Sequence, residues 1–232
     1  MRSISQFRGI HAGKRIVLTA TGPSLLDHDL SRVNGYVVAI CEAWKFLRSD
    51  ALVYFDSPQH DWFLEGWPSI EAEKGWPKPL LFTGTGRTYG DVHLTALNTY
   101  SPANIPRLDF SFDLNEGVYL RSTPYLAMQL AAWMLQREPR DGSGWGPPRG
   151  EIVFLGLDLK ERETGEVILG HAGSERAFNK RAEAVQREVL TYGYALLKER
   201  GVRVWNCSLA SELTSIPRVK FEDVFAKELY FG

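Results

Sequence analysis

The chain has 232 residues and a formal net charge of −1, with hydrophobic and charged fractions of 44% and 24%. These values are typical of a globular protein that folds in water, and the near-neutral charge argues against a nucleic-acid partner. The longest apolar runs are too short to span a bilayer, and the first residues lack the apolar core of a signal peptide. We therefore expect a cytoplasmic protein in which Cys41 and Cys207 are buried free thiols.

Six short apolar segments predict β-strands, and segments with helical character separate several of them. The predicted strands are residues 16–20, 36–41, 51–55, 80–83, 152–157 and 202–206. Their alternation with helices predicts an α/β fold, a single Rossmann-like domain with a mostly parallel sheet flanked by helices. Because no repeat or linker divides the sequence, one nucleotide-binding domain over residues 1–232, with a core of about 13–225, is the simplest organisation.

Two segments have clear helix signals. Ser122 or Thr123 is suited to be an N-cap, Pro124 fits the first turn, and the helix is expected to run to about Gln136. The second predicted helix, residues 175–199, has one apolar face. By contrast, residues 56–70 are aromatic and predicted to be irregular, residues 137–150 form a surface loop, and the tail 217–225 is expected to pack on the surface.

The first predicted strand ends in the turn Thr21-Gly22-Pro23-Ser24. Gly22 lets the backbone approach whatever lies above the strand, and Ser24 with Asp27 forms the pattern of a capping box. A helix that begins here presents free N–H groups at the carboxyl edge of the sheet, where open α/β folds bind phosphorylated ligands. The alternative is an ordinary strand-to-helix turn.

Acidic residues follow three further predicted strands: Glu42, Asp56 and Asp158, the last within Gly156-Leu-Asp. At the carboxyl edge of a parallel sheet such carboxylates can accept hydrogen bonds from a ribose or a base. Structural alternatives are helix capping for Glu42 and an Asx turn for Asp56.

Two polar positions outside the strands complete the candidate site. Ser122 and Thr123 begin the central helix, so their hydroxyl and N–H groups can either bind phosphate or cap the helix. His171 lies between Gly170 and Gly173 before the long helix, and a neutral imidazole there could act as a general base. A structural or surface role for this histidine is the alternative.

In chain order, these motifs resemble the bacterial sialyltransferases of glycosyltransferase family 42. The motifs are Gly22-Pro23-Ser24-Leu25, Cys41 at a strand end, Ser122 with Tyr125, Gly156-Leu157-Asp158, and Gly170-His171-Ala172-Gly173-Ser174. They are equally similar to a broader Gly-Pro-Ser-Leu family that includes 6-hydroxymethylpterin pyrophosphokinase-like proteins and flagellin-modifying sugar transferases. Many members of that family are encoded in phage or surface-polysaccharide loci.

The sialyltransferase resemblance implies a nucleotide-sugar donor, a glycan or small-molecule acceptor, His171 as the general base, and no metal or other cofactor. Thr21, Glu42 and Asp56 stand where that family has asparagines that hold the cytidine nucleotide. Acidic groups repel phosphates and prefer ribose hydroxyls or base donors. The family's tyrosine pair is absent, and Lys160 could stabilise the leaving phosphate instead.

The sequence thus predicts a glycosyltransferase with His171 and Lys160 as catalytic residues. The predicted nucleotide-binding residues are Thr21, Gly22, Pro23, Ser24, Glu42, Asp56, Ser122, Thr123, Gly156 and Asp158.

Two other functions stay open. One is a pyrophosphokinase that uses ATP and Mg²⁺, with Asp56, Asp158 and Glu42 as oxygen ligands. The other is a non-catalytic nucleotide- or sugar-binding phage or bacterial accessory protein. The aromatic stretch 62–76 could form a homo-oligomer interface or a lid over the acceptor.

Overall fold

The computed structural model describes residues 2–54, 57–84, 90–97, 109–115, 117–119, 122–138, 144–159 and 180–226. Within these ranges the main sheet has seven strands, and every neighbouring pair is parallel. The nine strands in chain order are β1 (Arg15–Thr19), β2 (Tyr36–Ile40), β3 (Ala51–Tyr54), β4 (Leu80–Thr83), β5 (Val92–His93), β6 (Ala96–Leu97), β7 (Val118–Tyr119), β8 (Glu151–Leu155) and β9 (Arg203–Asn206). Strands β6 and β7 form a separate parallel pair.

The strand order of the main sheet is β5-β4-β3-β2-β1-β8-β9. From β1 the chain proceeds in one direction to β5 and later returns to the other side of β1 through β8. Val17 of β1 lies opposite both Val37 of β2 and Val153 of β8. The junction of β1 and β8 is therefore the topological switch point, beside which open α/β sheets bind ligands at the carboxyl ends of their strands.

Helices cover both faces of this sheet, which confirms the predicted α/β fold. They are α1 (Ser57–Lys74), α2 (Thr123–Met134), α3 (Lys180–Glu199) and α4 (Phe221–Val224). Alternate residues of each strand point to opposite faces. Ile16 and Leu18 accordingly pack in the cluster of α2 and α3, while Val17 packs in the cluster that contains Phe221 of α4. Helix α1 packs on the latter face, in a cluster around Trp44.

The prediction that residues 56–70 are irregular was wrong, because residues 57–74 form helix α1. Gly66 and Pro68 disfavour a helix locally, but Phe63, Trp67 and Ile70 recur at helical spacing and pack against Trp44. A Cβ atom at position 66 would lie 2.9 Å from the Trp44 ring, so glycine allows the helix to approach it. Tertiary packing here overrides local propensity.

The tail was also predicted wrongly as a surface segment. Phe221 and Phe225 are buried and pack with Leu155 of β8 and with Cys207. Neither cysteine forms a disulfide, as predicted, but Cys41 is partly exposed whereas Cys207 is buried. No helix in the described ranges is long and apolar enough to cross a membrane.

Several predicted boundaries differ from the observed ones by a few residues. Helix α2 ends at Met134, two residues before the predicted end, and β2 ends at Ile40 because Cys41 already begins a 3-10 helix. Residues 175–179, the predicted start of the long helix, lie outside the described ranges.

Candidate ligand-binding rim

Two loops meet at the carboxyl edge of the sheet: the β1 turn (residues 21–24) and the β8 loop (residues 156–159). The Gly22 N–H donates to the Gly156 carbonyl at 2.8 Å. A Cβ at Gly22 would lie 2.3 Å from the Gly156 carbonyl oxygen. Gly156 has φ +67, and a Cβ there would lie 2.5 Å from the Ala20 carbonyl oxygen. Both positions therefore require glycine, because side-chain atoms would separate the two backbones.

Asp158 joins the same two loops through its side chain. Its Oδ2 accepts the Ser24 N–H at 2.8 Å, and its Oδ1 accepts the Ser24 hydroxyl. Ser24 Oγ also lies 2.8 Å from Ser208 Oγ. Since Ser24 has one hydroxyl proton, which the Asp158 carboxylate accepts, Ser208 must donate to Ser24. Ser24 and Asp158 are each only 8% exposed, so their hydrogen bonds join the two loops in the interior of the protein.

The predicted capping box between Ser24 and Asp27 was wrong. Residues Pro23–Asp27 form a 3-10 helix whose N-cap is Gly22, with no side-chain cap. Ser24 lies inside this short element, and its hydroxyl faces Asp158, 134 residues away in sequence. Asp27 is exposed. The tertiary partner of Ser24 thus replaces the local one.

Glu42 lies at the carboxyl end of β2 and is almost fully buried, with 2% exposure. Its carboxylate accepts a charge-assisted hydrogen bond from Lys45, three residues later in the 3-10 helix Cys41–Lys45. Cys41 has φ +55, which is uncommon for a residue with a side chain. The chain therefore turns sharply off β2, and the acidic charge of Glu42 is balanced locally.

Ser122 is the N-cap of α2, since its Oγ accepts the Tyr125 N–H at 3.2 Å. Thr123 is the first residue of the helix. At the other end of α2, the Leu135 carbonyl accepts the N–H of Arg149, close before β8 begins. Helix α2 therefore runs antiparallel to the strands, and its N-terminus with Ser122 lies toward the carboxyl edge of the sheet.

The last described strand supplies residues that the sequence analysis missed. Asn206, fully buried at the end of β9, donates through Nδ2 to the Leu157 carbonyl at 3.1 Å and accepts the Ser208 N–H at 3.1 Å. Polar residues at the end of a predicted strand were the signal used for Asp158, and the same signal was present here. Asp56, Lys160 and His171 lie outside the described residues, so their roles stay predictions.

Burial also shifts the pKa values of groups near the rim. His28, directly after the 3-10 helix, is stacked on Phe221 with ring centroids 4.7 Å apart. Burial lowers its pKa from the ordinary 6.5, while the charges of Asp27, Glu222 and Asp158 oppose the shift. Burial raises the pKa of the Cys207 thiol to about 12. Among the described residues, no three His, Cys, Asp or Glu side chains are grouped to hold a metal ion.

No model of a known protein family matches this sequence, and no curated protein matches it. Three solved structures are similar to it. One is the sialyltransferase CST-II in complex with a trisaccharide acceptor and CMP, at 13% identity and a TM-score of 0.46 over 88% of this chain and 85% of that one. Another is a tyrosine-to-phenylalanine variant of CST-II in complex with CMP, at 14% identity and a TM-score of 0.47 over 89% and 86%.

The third structure is a phenylalanine-to-tyrosine mutant of the alpha-2,3/8-sialyltransferase CstII, at 14% identity and a TM-score of 0.39 over 88% of this chain and 86% of that one. At such identities and TM-scores the likeness does not extend to the chemistry of the site.

Proposed function

We propose that this chain is a glycosyltransferase that moves a sialic-acid-like or related sugar from a nucleotide-sugar donor to an acceptor hydroxyl. One observation carries the proposal: the Gly-Pro-Ser turn after β1 and the Gly-Leu-Asp end of β8 are joined at the switch point of a parallel sheet. Ligands of open α/β folds bind at this place. The order of the sequence motifs, which resembles that of the sialyltransferases, supports the choice of reaction.

We propose two tasks for the predicted nucleotide-binding residues. The nucleotide contacts the partly exposed residues of the rim. These are Thr21 and Gly22 in the β1 turn, and Ser122 and Thr123 at the start of α2. The other four residues hold the β1 turn and the β8 loop together, because Ser24 and Asp158 are hydrogen-bonded to each other. These four are Pro23, Ser24, Gly156 and Asp158.

Two further acidic positions complete the proposed nucleotide site. Glu42, which pairs with Lys45, shapes the neighbouring part of the rim after β2. Asp56 keeps its predicted contact with a ribose or base, which a carboxylate prefers to a phosphate.

The proposed reaction is a direct displacement. The acceptor hydroxyl attacks the anomeric carbon of the sugar, His171 takes the hydroxyl proton, and a new glycosidic bond forms. The bond between the sugar and the nucleotide phosphate breaks, and the phosphate keeps the electron pair. Lys160 and the N–H groups at the start of α2 stabilise its negative charge.

The substitution His171→Ala tests this proposal. A general base contributes about 10²–10⁴-fold in rate, so transfer should fall by that factor while nucleotide affinity stays unchanged. Released nucleotide measures transfer, and titration calorimetry measures binding. His11→Ala is the matched control, because His11 contacts the Tyr36 ring at the amino edge of the sheet, away from the rim. Full transfer activity in His171→Ala would overturn the mechanism.

The described residues do not favour a magnesium-dependent pyrophosphokinase. Of its three proposed ligands, Asp158 uses both carboxylate oxygens to bind Ser24, and Glu42 pairs with Lys45. A thermal-shift panel of CMP, CDP, UDP, GDP and ATP with and without Mg²⁺ separates the cases, because a bound ligand raises the melting temperature. A non-catalytic accessory protein would instead keep both its ligand affinity and its biological activity in His171→Ala.

A further inference from the structure

The β8 loop is held by its backbone along its whole length. Its four consecutive carbonyl oxygens each accept a hydrogen bond from a different residue. These bonds are Gly22 N to Gly156 O at 2.8 Å, Asn206 Nδ2 to Leu157 O at 3.1 Å, Glu212 N to Asp158 O at 3.0 Å, and Arg187 Nη2 to Leu159 O at 3.0 Å. The β1 turn, helix α3 and the end of β9 with the loop after it therefore converge on these four residues.

Arg187 of α3 makes the bond to the end of this loop. Besides the Leu159 carbonyl, its guanidinium donates to the Glu212 carbonyl at 2.7 Å and to the Glu212 carboxylate. Glu212 in turn donates its own N–H to the Asp158 carbonyl. A planar guanidinium can serve all three acceptors at once, whereas an ammonium on a flexible stem has no such fixed fork.

The residue that Arg187 holds has an unfavourable backbone conformation. Leu159 has φ +47, in the left-handed region that side chains disfavour. Such residues persist where the surrounding structure holds them, and they are concentrated at functional sites. The bond from Arg187 fixes the carbonyl of this residue. The position of the neighbouring Asp158 carboxylate, and with it the β1 turn, depends on the same backbone.

We infer that Arg187, together with Glu212, is a positioning residue for the candidate site. It sets the backbone of Asp158 and Leu159, and through the bonds of Asp158 to Ser24 it sets the β1 turn that is proposed to contact the nucleotide. The expected effect of Arg187 on nucleotide binding rests on the proposed function, whereas its expected effect on the β8 loop does not. Arg187 lies outside the motifs on which the prediction of the nucleotide-binding site was based.

The experiment compares Arg187→Ala and Arg187→Lys with Arg15→Ala. Arg15 forms the same kind of ion pair, with Glu151 at 2.5 Å, but at the amino ends of β1 and β8. CMP affinity, donor KM and kcat are measured well below the melting temperature of every variant. Loss of a positioning residue should weaken CMP binding and raise donor KM about tenfold, since small misplacements at a site can cost 10²-fold.

In the same assays we expect Arg187→Lys to recover only part of the affinity, and added guanidinium to restore some of it to Arg187→Ala. Arg15→Ala should lose stability but keep its CMP affinity within about twofold, because its ion pair with Glu151 lies at the amino ends of β1 and β8 and does not touch the rim. If Arg187→Ala lowers the melting temperature and leaves CMP affinity and KM unchanged, Arg187 is merely structural and the inference is overturned.

Hydrogen exchange separates this inference from the proposed function. If the native chain binds no nucleotide, the glycosyltransferase proposal fails, and the amides of residues 156–159 still report on Arg187. They should exchange faster in Arg187→Ala, or in Arg187→Lys should the alanine variant not fold, than in Arg15→Ala. Equal exchange in the Arg187 and Arg15 variants would overturn the positioning role.

Discussion

The two ends of the β1–β8 strand pair are held by different polar contacts. An ion pair joins the strands at the amino end, and a carboxylate bound to a serine joins them at the carboxyl end. At the amino end, Arg15 pairs with Glu151 at 2.5 Å and also donates to Asn34; Glu151 is buried, whereas the Arg15 side chain is 24% exposed. At the carboxyl end, Asp158 binds Ser24 in a nearly buried contact.

At the amino end, Glu151 has a second partner in the exposed Arg203 at 3.5 Å and water reaches Arg15, so a lost partner can be replaced there. At the carboxyl end, Ser24 and Asp158 are both only 8% exposed, so a lost partner leaves a buried polar group without a hydrogen bond. We therefore expect the loss of a partner to cost more at the carboxyl end than at the amino end.

The largest expected difference concerns glycine. Gly156 and Gly75 have similar φ values, +67 and +62, but a Cβ at Gly156 would meet the Ala20 carbonyl at 2.5 Å, whereas nothing lies within 4 Å at Gly75. Alanine at Gly75 should cost about 1–2 kcal/mol for the left-handed backbone alone, and at Gly156 roughly 3 kcal/mol or more in free energy of unfolding. Urea denaturation of the two variants measures the difference. Equal losses would show that the loops do not need their close approach.

A smaller difference is expected between the two carboxylates. Asp158→Ala leaves the Ser24 N–H and hydroxyl without their acceptor in a buried place, which should cost about 1–3 kcal/mol. Glu151→Ala leaves Arg15, whose side chain is 24% exposed, with its bond to Asn34 and with water, and should cost about 1 kcal/mol. Unfolding free energies at pH 7 test the order, and Asp158→Asn should fall between the native chain and Asp158→Ala. A larger loss in Glu151→Ala would contradict the comparison of the two ends.

The smallest expected effect is a pH dependence. His28 near the rim and His11 near the amino end both have pKa values lowered from 6.5, mainly by burial. A histidine with a lowered pKa in the folded state binds its proton more weakly there than in the unfolded chain. Its contribution to stability is complete above pH 6.5 and is lost as the pH falls through the folded-state pKa.

We therefore expect His28→Phe and His11→Phe each to reduce the loss of stability between pH 7.5 and 5.5, because phenylalanine keeps the contact between aromatic rings without titrating. Unfolding free energies at the two pH values measure this reduction. An undiminished acid loss in both variants would assign the pH dependence to other groups.

Much of the fold was predictable because its signals are local. The apolar runs of the central strands and the N-cap at Ser122 can be recognised within a few residues, and the structure confirms them. Helix α1 was missed because Gly66 and Pro68 obscure its apolar face, and the burial of Phe221 and Phe225 was missed because a short aromatic tail does not reveal its partner.

By itself, the sequence determined that the strands end in turns of polar residues and glycine. It therefore determined that such residues line the carboxyl edge of the sheet. Only the tertiary structure decided which of those turns meet. Gly22 faces Gly156, and Ser24 binds Asp158, because the strand order places β8 directly beside β1. Arg187 reaches Leu159 for the same reason, since α3 connects β8 to its neighbour β9. Periodicity along the chain encodes which residues are buried, whereas partners far apart in sequence depend on how the strands are ordered.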